Sequence, residues 1–377
     1  MATCTFAHLD EQTLKRKDAK LAIESGQQSP KPTLVTCAMS VLSYFLRRLI
    51  VTVPLLFLVT LLGFTITYLI PADPLAMVIS ERAMANPQIV QAYRERWGLD
   101  KPPHERYLTY VSNLLRGDLG ESIVTQQSVA ADIARYFPAT VELAIAATLV
   151  AVTFGVPLGI LAAVYRERLI DHLARLISLI GVCVPVFWLG LLALALFYYR
   201  LQWMPGPGRV NARLELPPTV TGLLTVDSVL AGRMDVLGSA LHHLTLPALV
   251  LGAYSMSLIT RIVRSAMIEV LQQDYIRVAR AKGLIERVVI LRHALRNAAL
   301  PAITAIGLSF GNLMAGAVMT ETVFAWPGIG RYAVESAAKL DFAPIMGVTL
   351  LVAVIYIAIN FLVDLSYAVL DPRIRLS

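Results

Sequence analysis

Residues 342–363 read FAPIMGVTLLVAVIYIAINFLV, 22 consecutive residues without an Asp, Glu, Lys or Arg. About 20 helical residues, at roughly 1.5 Å each, cross the ~30 Å of hydrocarbon in a bilayer. A backbone in hydrocarbon has no water to bond, so such a run must pair its polar groups internally as a helix. Asp341 and Asp364 bracket the run and mark where polar surroundings return.

Five more charge-free runs precede it, at 49–72, 143–165, 176–199, 244–260 and 297–320; only the fourth run, with 17 residues, is shorter than 22. The whole chain is 56% hydrophobic and 16% charged. A soluble domain is about 45–50% apolar and roughly 25% charged, so this chain has too little polar surface to cover itself in water. The prediction is an all-α polytopic membrane protein with six transmembrane helices, near 46–71, 139–164, 174–199, 243–263, 298–322 and 343–368. Buried helices of a large soluble enzyme are the alternative, and they need much shorter apolar runs.

Basic residues orient the spans, because short connections rich in Lys and Arg stay in the cytoplasm. Arg47 and Arg48 precede the first span. Arg166, Arg168 and Arg175 lie around the turn between the second and third. Eight Lys or Arg residues fall between Arg261 and Arg296, and Arg373 and Arg375 close the chain. Six spans with both termini cytoplasmic satisfy all four clusters. The net charge of +7 is thereby a topology signal, and nucleic-acid binding is not expected. Cys4, Cys37 and Cys183 imply no disulfide framework.

Residues 1–40 read as a disordered cytoplasmic tail, and Met39 is an alternative start. The run begins too late and is too long for a signal peptide. Residues 73–137 read as a periplasmic helical insertion. Within it PQIVQAYRERWGLD places Ile89, Val90, Tyr93 and Trp97 at helical spacing, and RYLTYVSNLLRGDLG forms a second helix stopped by Gly117. The second outer segment, from Met204 to Gly238, is rich in Pro and Gly and is expected to be mostly irregular. Gly155/Gly159 and Gly307/Gly311 form GxxxG pairs that let helix backbones approach in lipid, with chance in a Gly-rich span as the alternative. Pro157, Pro185 and Pro247 are expected to bend their helices.

Several chemistries are excluded. Gly307-Leu308-Ser309-Phe310-Gly311 matches a hydrolase motif by letter, but it lies inside a span and no histidine falls deep enough in a span to meet Ser309. There is no HExxH and no cysteine–histidine cluster with zinc spacing, so no metal and no cofactor is expected. No GxxxxGK[ST] phosphate loop occurs, and Glu142, Glu321 and Asp364 flank spans rather than occupy their midpoints. Energy for uphill transport would therefore come from a cytoplasmic partner.

Residues 268–297 are the candidate contact for it. Asp274 to Lys282 holds helix formers and no breaker, and Gly283 suits a left-handed stop. A second helix is expected from near Ile285, with Leu284, Val288, Leu291 and Leu295 as an apolar stripe, Arg292 and Arg296 opposite, and Pro301 at the entry to span five. Two short helices at a bend, lying against the membrane, are shaped to be gripped. Retention inside by positive charge alone is the alternative.

The pattern DYIRVARAKGLIERVVILRHALRNAALP resembles the cytoplasmic EAA segment of binding-protein-dependent ABC importer permeases, in the version of the dipeptide and oligopeptide family. YFLRRLIVTVPLLF, LIPADPL, LLRGDLGES, FPATVELA, VPVFWLGLL, ETVFAWPGIGRY and NFLVDLSYAVLDPRIR follow the same family order across 41–375, and the opening resembles the first, B-type permease. Arg277 stands where the general pattern has glutamate, and Ile285 where the peptide branch often has a serine. The resemblance implies a non-enzymatic permease of the bacterial inner membrane, with ATP hydrolysis on separate cytoplasmic ATPase subunits. It also implies a second homologous permease, a periplasmic solute-binding protein and a solute cargo, most often di- or oligopeptides. It makes Asp274, Tyr275, Arg277, Val278, Ala279, Arg280, Ala281, Lys282 and Gly283 the coupling helix that docks on an ATPase. Ser309, Asn312 and Glu321 are the candidate residues of the translocation path. The alternatives are a self-sufficient carrier or channel and, more remotely, a membrane scaffold.

Overall fold

A computed structural model describes residues 34–69, 86–96 and 100–370. Residues 1–33, the LIPADPL stretch beyond Leu69 and the terminal DPRIRLS lie outside the described residues. Internal contacts divide the chain into Met1–Ile50 with Arg375–Ser377, and Val51–Ile374; apart from the helical range of α1, the account below concerns the second unit.

The helices are α1 (Leu34–Leu69), α2 (Pro87–Arg96), α3 (Pro103–Leu115), α4 (Val129–Val164), α5 (Leu169–Cys183), α6 (Val186–Ala193), α7 (Leu224–Leu230) and α8 (Met234–Leu271). They continue with α9 (Asp274–Ala281), α10 (Glu286–Val288), α11 (Leu295–Gly316), α12 (Val318–Val323), α13 (Ile329–Ala338) and α14 (Phe342–Leu370). π-helical turns Leu194–Arg200 and Val289–Ala294 extend α6 and join α10 to α11. Among the described residues there is no strand, so the all-α expectation holds.

Among the described residues five helices are long and apolar enough to cross a bilayer, and six spans result if one bent pair counts as a single span. The bend expected at Pro185 is present, and it is a full break in the span placed over 174–199. Leu169–Cys183 and Val186–Arg200 meet at 101°. Pro185 supplies no N–H, and its ring drives Val184 out of the helical region, to φ −81 and ψ 123. At 15 residues each, the halves are only about 22 Å long. Both halves pack on α8, and the second also meets the end of α12: a Cβ at Gly181 would lie 3.1 Å from the Ala253 carbonyl oxygen of α8, and one at Gly190 3.2 Å from the Phe324 ring. Pro157 and Pro247 instead sit within α4 and α8, which run on through them.

Several boundaries also move. α1 begins at Leu34, inside the stretch expected to be tail. α4 starts ten residues before its predicted span, because Ser128 caps it: the Ser128 hydroxyl accepts from the Ala131 N–H at 3.3 Å. α3 stops as expected, with Gly117 at φ 82. The second outer segment is irregular only to Leu223; α7 and the start of α8 occupy the rest.

α8 is the central helix, with 61% of its apolar window buried against 6% for α1. One core joins Ala139, Leu143 and Ala147 of α4 to Leu244 and Leu251 of α8 and to Leu313, Ile359 and Val363. A second runs from Ala151 through Ile259, Val263 and Met267 to Ile276 of α9 and Ala294, Ala298 and Ala302. Both cores are rich in alanine because helices in lipid gain contact by letting backbones approach. The GxxxG pairs lie at these contacts. A Cβ at Gly159 would sit 2.8 Å from the Thr260 carbonyl oxygen, and one at Gly311 3.2 Å from the Tyr356 ring. The Thr260 hydroxyl donates to the Gly155 carbonyl at 3.1 Å, tying α8 to α4.

Candidate functional site

The basic segment holds one short exposed helix rather than two. α9 ends in a Schellman turn: the Gly283 N–H donates to the Arg280 carbonyl at 2.9 Å and the Leu284 N–H to the Ala279 carbonyl at 3.4 Å. Gly283 takes φ 75, as its position requires. Beyond it, Glu286 through Ala315 form one continuous element, so the expected second short helix is the beginning of span five. The apolar stripe is also displaced. Val289 and Ala294, five residues apart, are buried on one side, while Leu284 and Leu291 are exposed. The π-helical turn between Val289 and Ala294 closes on i→i+5 bonds and so brings residues five apart onto one face. No side chain caps the start at Ile285.

Within α9, Ile276 and Ala279 are buried in the second core, three residues apart on one face. Asp274, Tyr275, Arg277, Val278, Arg280, Ala281, Lys282 and Gly283 are exposed. Ala279 is thus an anchor and not part of the free face; Ile276, absent from the expected set, is the larger anchor. Arg280 grips Glu286 through two bonds, Nε to Oε2 at 3.1 Å and Nη2 to Oε1 at 2.6 Å. Tyr275 accepts from the Asn297 amide at 2.9 Å. Nearby, the buried Asp171 carboxylate accepts from Arg264 at 2.6 and 2.8 Å and from the Glu167 N–H at 3.0 Å, fastening the α4–α5 turn to α8.

The path candidates do not come together. Ser309 is buried with no partner for its hydroxyl among the described residues. Asn312 is exposed on α11. Glu321 is fully buried at the other end of the bundle, where it accepts from the Thr140 hydroxyl at 2.6 Å and the Arg331 N–H at 2.9 Å. It borders a cavity of about 230 Å³ lined also by Met314, Val318, Thr349 and Val352.

That end is closed by buried polar links. Thr140 also accepts from the Ile329 N–H at 2.9 Å, and the Trp326 indole donates to the Ala139 carbonyl at 2.8 Å. Glu142 accepts from Arg209 at 2.7 and 2.9 Å and from Thr225 at 2.6 and 2.8 Å. Asp227 accepts from Thr221 and Gly222. Burial pushes its carboxyl up, but these donors outweigh burial and hold it below the usual carboxylate range. Tyr332 donates to Asp132 at 2.8 Å; burial, and then that bond, push the phenol above its ordinary value.

Residues 155–376 match the family described as binding-protein-dependent transport system inner membrane component. Residues 41–144 match the N-terminal part of such membrane components. The chain belongs to this family. It is a multi-pass permease subunit of an ABC importer, and in this family the ATPase is a separate subunit. It is similar to the di/tripeptide transport system permease protein DppB of Pseudomonas aeruginosa, at 44% identity over 334 residues, 89% of this chain and 99% of that one. It is 46% identical over 316 residues to the probable D,D-dipeptide transport system permease protein DdpB of Escherichia coli K12, covering 84% of this chain and 92% of that one. Among solved structures, an inward-facing MetNI methionine ABC transporter aligns at a TM-score of 0.45 and 18% identity, over 62% of this chain and 93% of that one. Permeases of such systems work with a second permease, ATPases and a binding protein.

Proposed function

We propose that the chain forms, with a second homologous permease, a path for di- or oligopeptides, driven by cytoplasmic ATPase subunits and fed by a periplasmic binding protein. The observation that carries the docking assignment is the two-sided α9: Ile276 and Ala279 are buried while Tyr275, Arg277 and Val278 stand exposed. A helix fixed to the core on one face and open on the other transmits a push from a partner to the spans. Its docking face comprises Asp274, Tyr275, Arg277, Val278, Ala281 and Lys282, extended by the exposed apolar tip Leu284 and Ile285. Both termini and the basic segment lie in the cytoplasm, as the positive residues favour. Asn312 is the one exposed member of the three path candidates, so we assign it to the path; the names of the two curated relatives support a peptide cargo.

Gly283→Val and Arg277→Glu test the assignment. The first forces a β-branched residue to positive φ, a strain of roughly 1–3 kcal/mol; the second reverses a charge on the free face. Both variants insert normally and lose ATPase co-purification or cargo uptake. Full uptake at normal expression in both would leave retention by positive charge as the segment's role. Measuring which peptides the partner binding protein retains identifies the cargo.

A further inference from the structure

We infer that Arg280 and Glu286 are positioning residues that set the angle of the coupling helix against span five, and that Arg280 is not a contact to the ATPase. The inference rests on the proposed docking of α9 and deepens it.

Only Lys282–Ile285 separates α9 from α10. Gly283 at φ 75 makes the turn, and the Leu284 N–H bond to Ala279 that closes it is long, at 3.4 Å. A glycine-centred link closed by one ordinary bond, from the Gly283 N–H to Arg280, and one long bond is a joint. Arg280 lies before the joint and Glu286 after it, and their two parallel bonds fix direction as well as distance. The guanidinium has spent two of its donors inward, toward its own chain. Tyr275 and Asn297 form a second tie between the same two elements. By contrast, among the described residues Arg277 pairs with Asp274 on its own helix, at 3.2 Å. The two arginines, three residues apart in sequence, therefore have different tasks: Arg277 faces a partner and Arg280 holds the joint.

The pair is about half exposed, with side chains 43% and 51% accessible. Exposed pairs add little to stability, so a purely stabilising role predicts almost no phenotype. A joint that transmits force predicts a coupling defect without loss of assembly.

The test uses the complete importer with its binding protein in proteoliposomes, comparing Arg280→Glu, Glu286→Arg and the double exchange. Each single variant keeps its ATPase but hydrolyses about threefold more ATP per cargo, within the range of an exposed bidentate pair. The double exchange returns the ratio to that of the unmodified protein. Spin labels at Gln273, at the start of α9 and outside the docking face, and at Arg296 read the joint directly: each single variant broadens the distance distribution and the exchange narrows it again. If the double exchange stays as impaired as Arg280→Glu alone, Arg280 contacts the ATPase and the inference is overturned. Unchanged ratios and distances in both single variants overturn it equally. If Arg277→Glu and Gly283→Val leave ATPase association and uptake intact, the docking proposal fails instead. The label distances separate that failure from failure of the brace.

Discussion

The Thr140 hydroxyl donates to the Glu321 carboxylate at 2.6 Å across 181 residues of sequence, and both side chains are buried. The same hydroxyl accepts from the Ile329 N–H. One small side chain thus joins α4, α12 and the turn that begins α13. A buried carboxylate needs every donor it can find, and the Arg331 N–H supplies another.

Thr140→Val keeps the shape and removes both bonds. It leaves the Ile329 N–H unpaired and takes one donor from Glu321, at roughly 1–3 kcal/mol for each orphaned group. Thr140→Ser retains the hydroxyl and costs under about 1 kcal/mol. Thermal unfolding of the purified protein in detergent distinguishes them. Equal stability of the two variants would show that water replaces the hydroxyl.

Gly159 lies where α4 meets α8, and a Cβ there would approach the Thr260 carbonyl and the Val263 side chain to 2.8 Å. Backbone cannot step aside as a side-chain tip can. Gly159→Ala is expected to destabilise the protein by about 1–3 kcal/mol. Gly238→Ala meets nothing within 4 Å and is the matched control in α8. A drop in folded yield for Gly159→Ala alone, read by size-exclusion chromatography, is the expected outcome.

Spans were legible because a bilayer imposes length and apolarity on each segment separately. Gly283 and Gly117 were legible because positive φ favours glycine whatever surrounds it. What escaped reading depends on two segments meeting. Bends were expected alike at Pro157, Pro185 and Pro247, but only Pro185 breaks its helix; that α4 and α8 run on through their prolines was not readable from the residues. Ile276 looked like any apolar residue in a basic helix until the core beneath it was visible. Its three-residue spacing from Ala279 was the available signal. Arg280 and Glu286 are six apart, a spacing no helix pairs, and only the turn between them makes them neighbours. Glu321 was a path candidate, and its burial was not readable, because its donors come from 181 residues upstream and ten downstream.

Asp227 gives a pH dependence with a definite sign. Its folded-state carboxyl titrates below the unfolded value of about 4. The stability it contributes is therefore complete above about pH 4 and is lost as pH falls through the folded value. Asp227→Asn removes that contribution, so the variant is less stable at neutral pH and loses less on acidification. Unfolding midpoints between pH 3 and 6 in detergent test this; parallel curves for the two proteins would assign the acid sensitivity elsewhere.

Ile276 offers the sharpest separation of anchoring from docking. It is fully buried, and its core includes Val263 and Met267 of α8 and Val289 of the π-helical turn. Ile276→Ala leaves the exposed face of α9 chemically unchanged but opens a cavity beneath it, at about 2–5 kcal/mol. That energy is lost from one short helix rather than from the whole bundle, because only Ile276 and Ala279 bury α9. The helix should therefore undock while the spans stay folded. Hydrogen exchange should rise over 274–283 and remain unchanged in α8. The ATPase should still bind the free face, yet its hydrolysis should no longer drive uptake. Val278→Ala gives the converse pattern, with protection of α9 retained and ATPase affinity reduced. If Ile276→Ala lost ATPase binding while α9 stayed protected, the buried face would not be the anchor, and force would reach the spans through the Arg280–Glu286 joint alone.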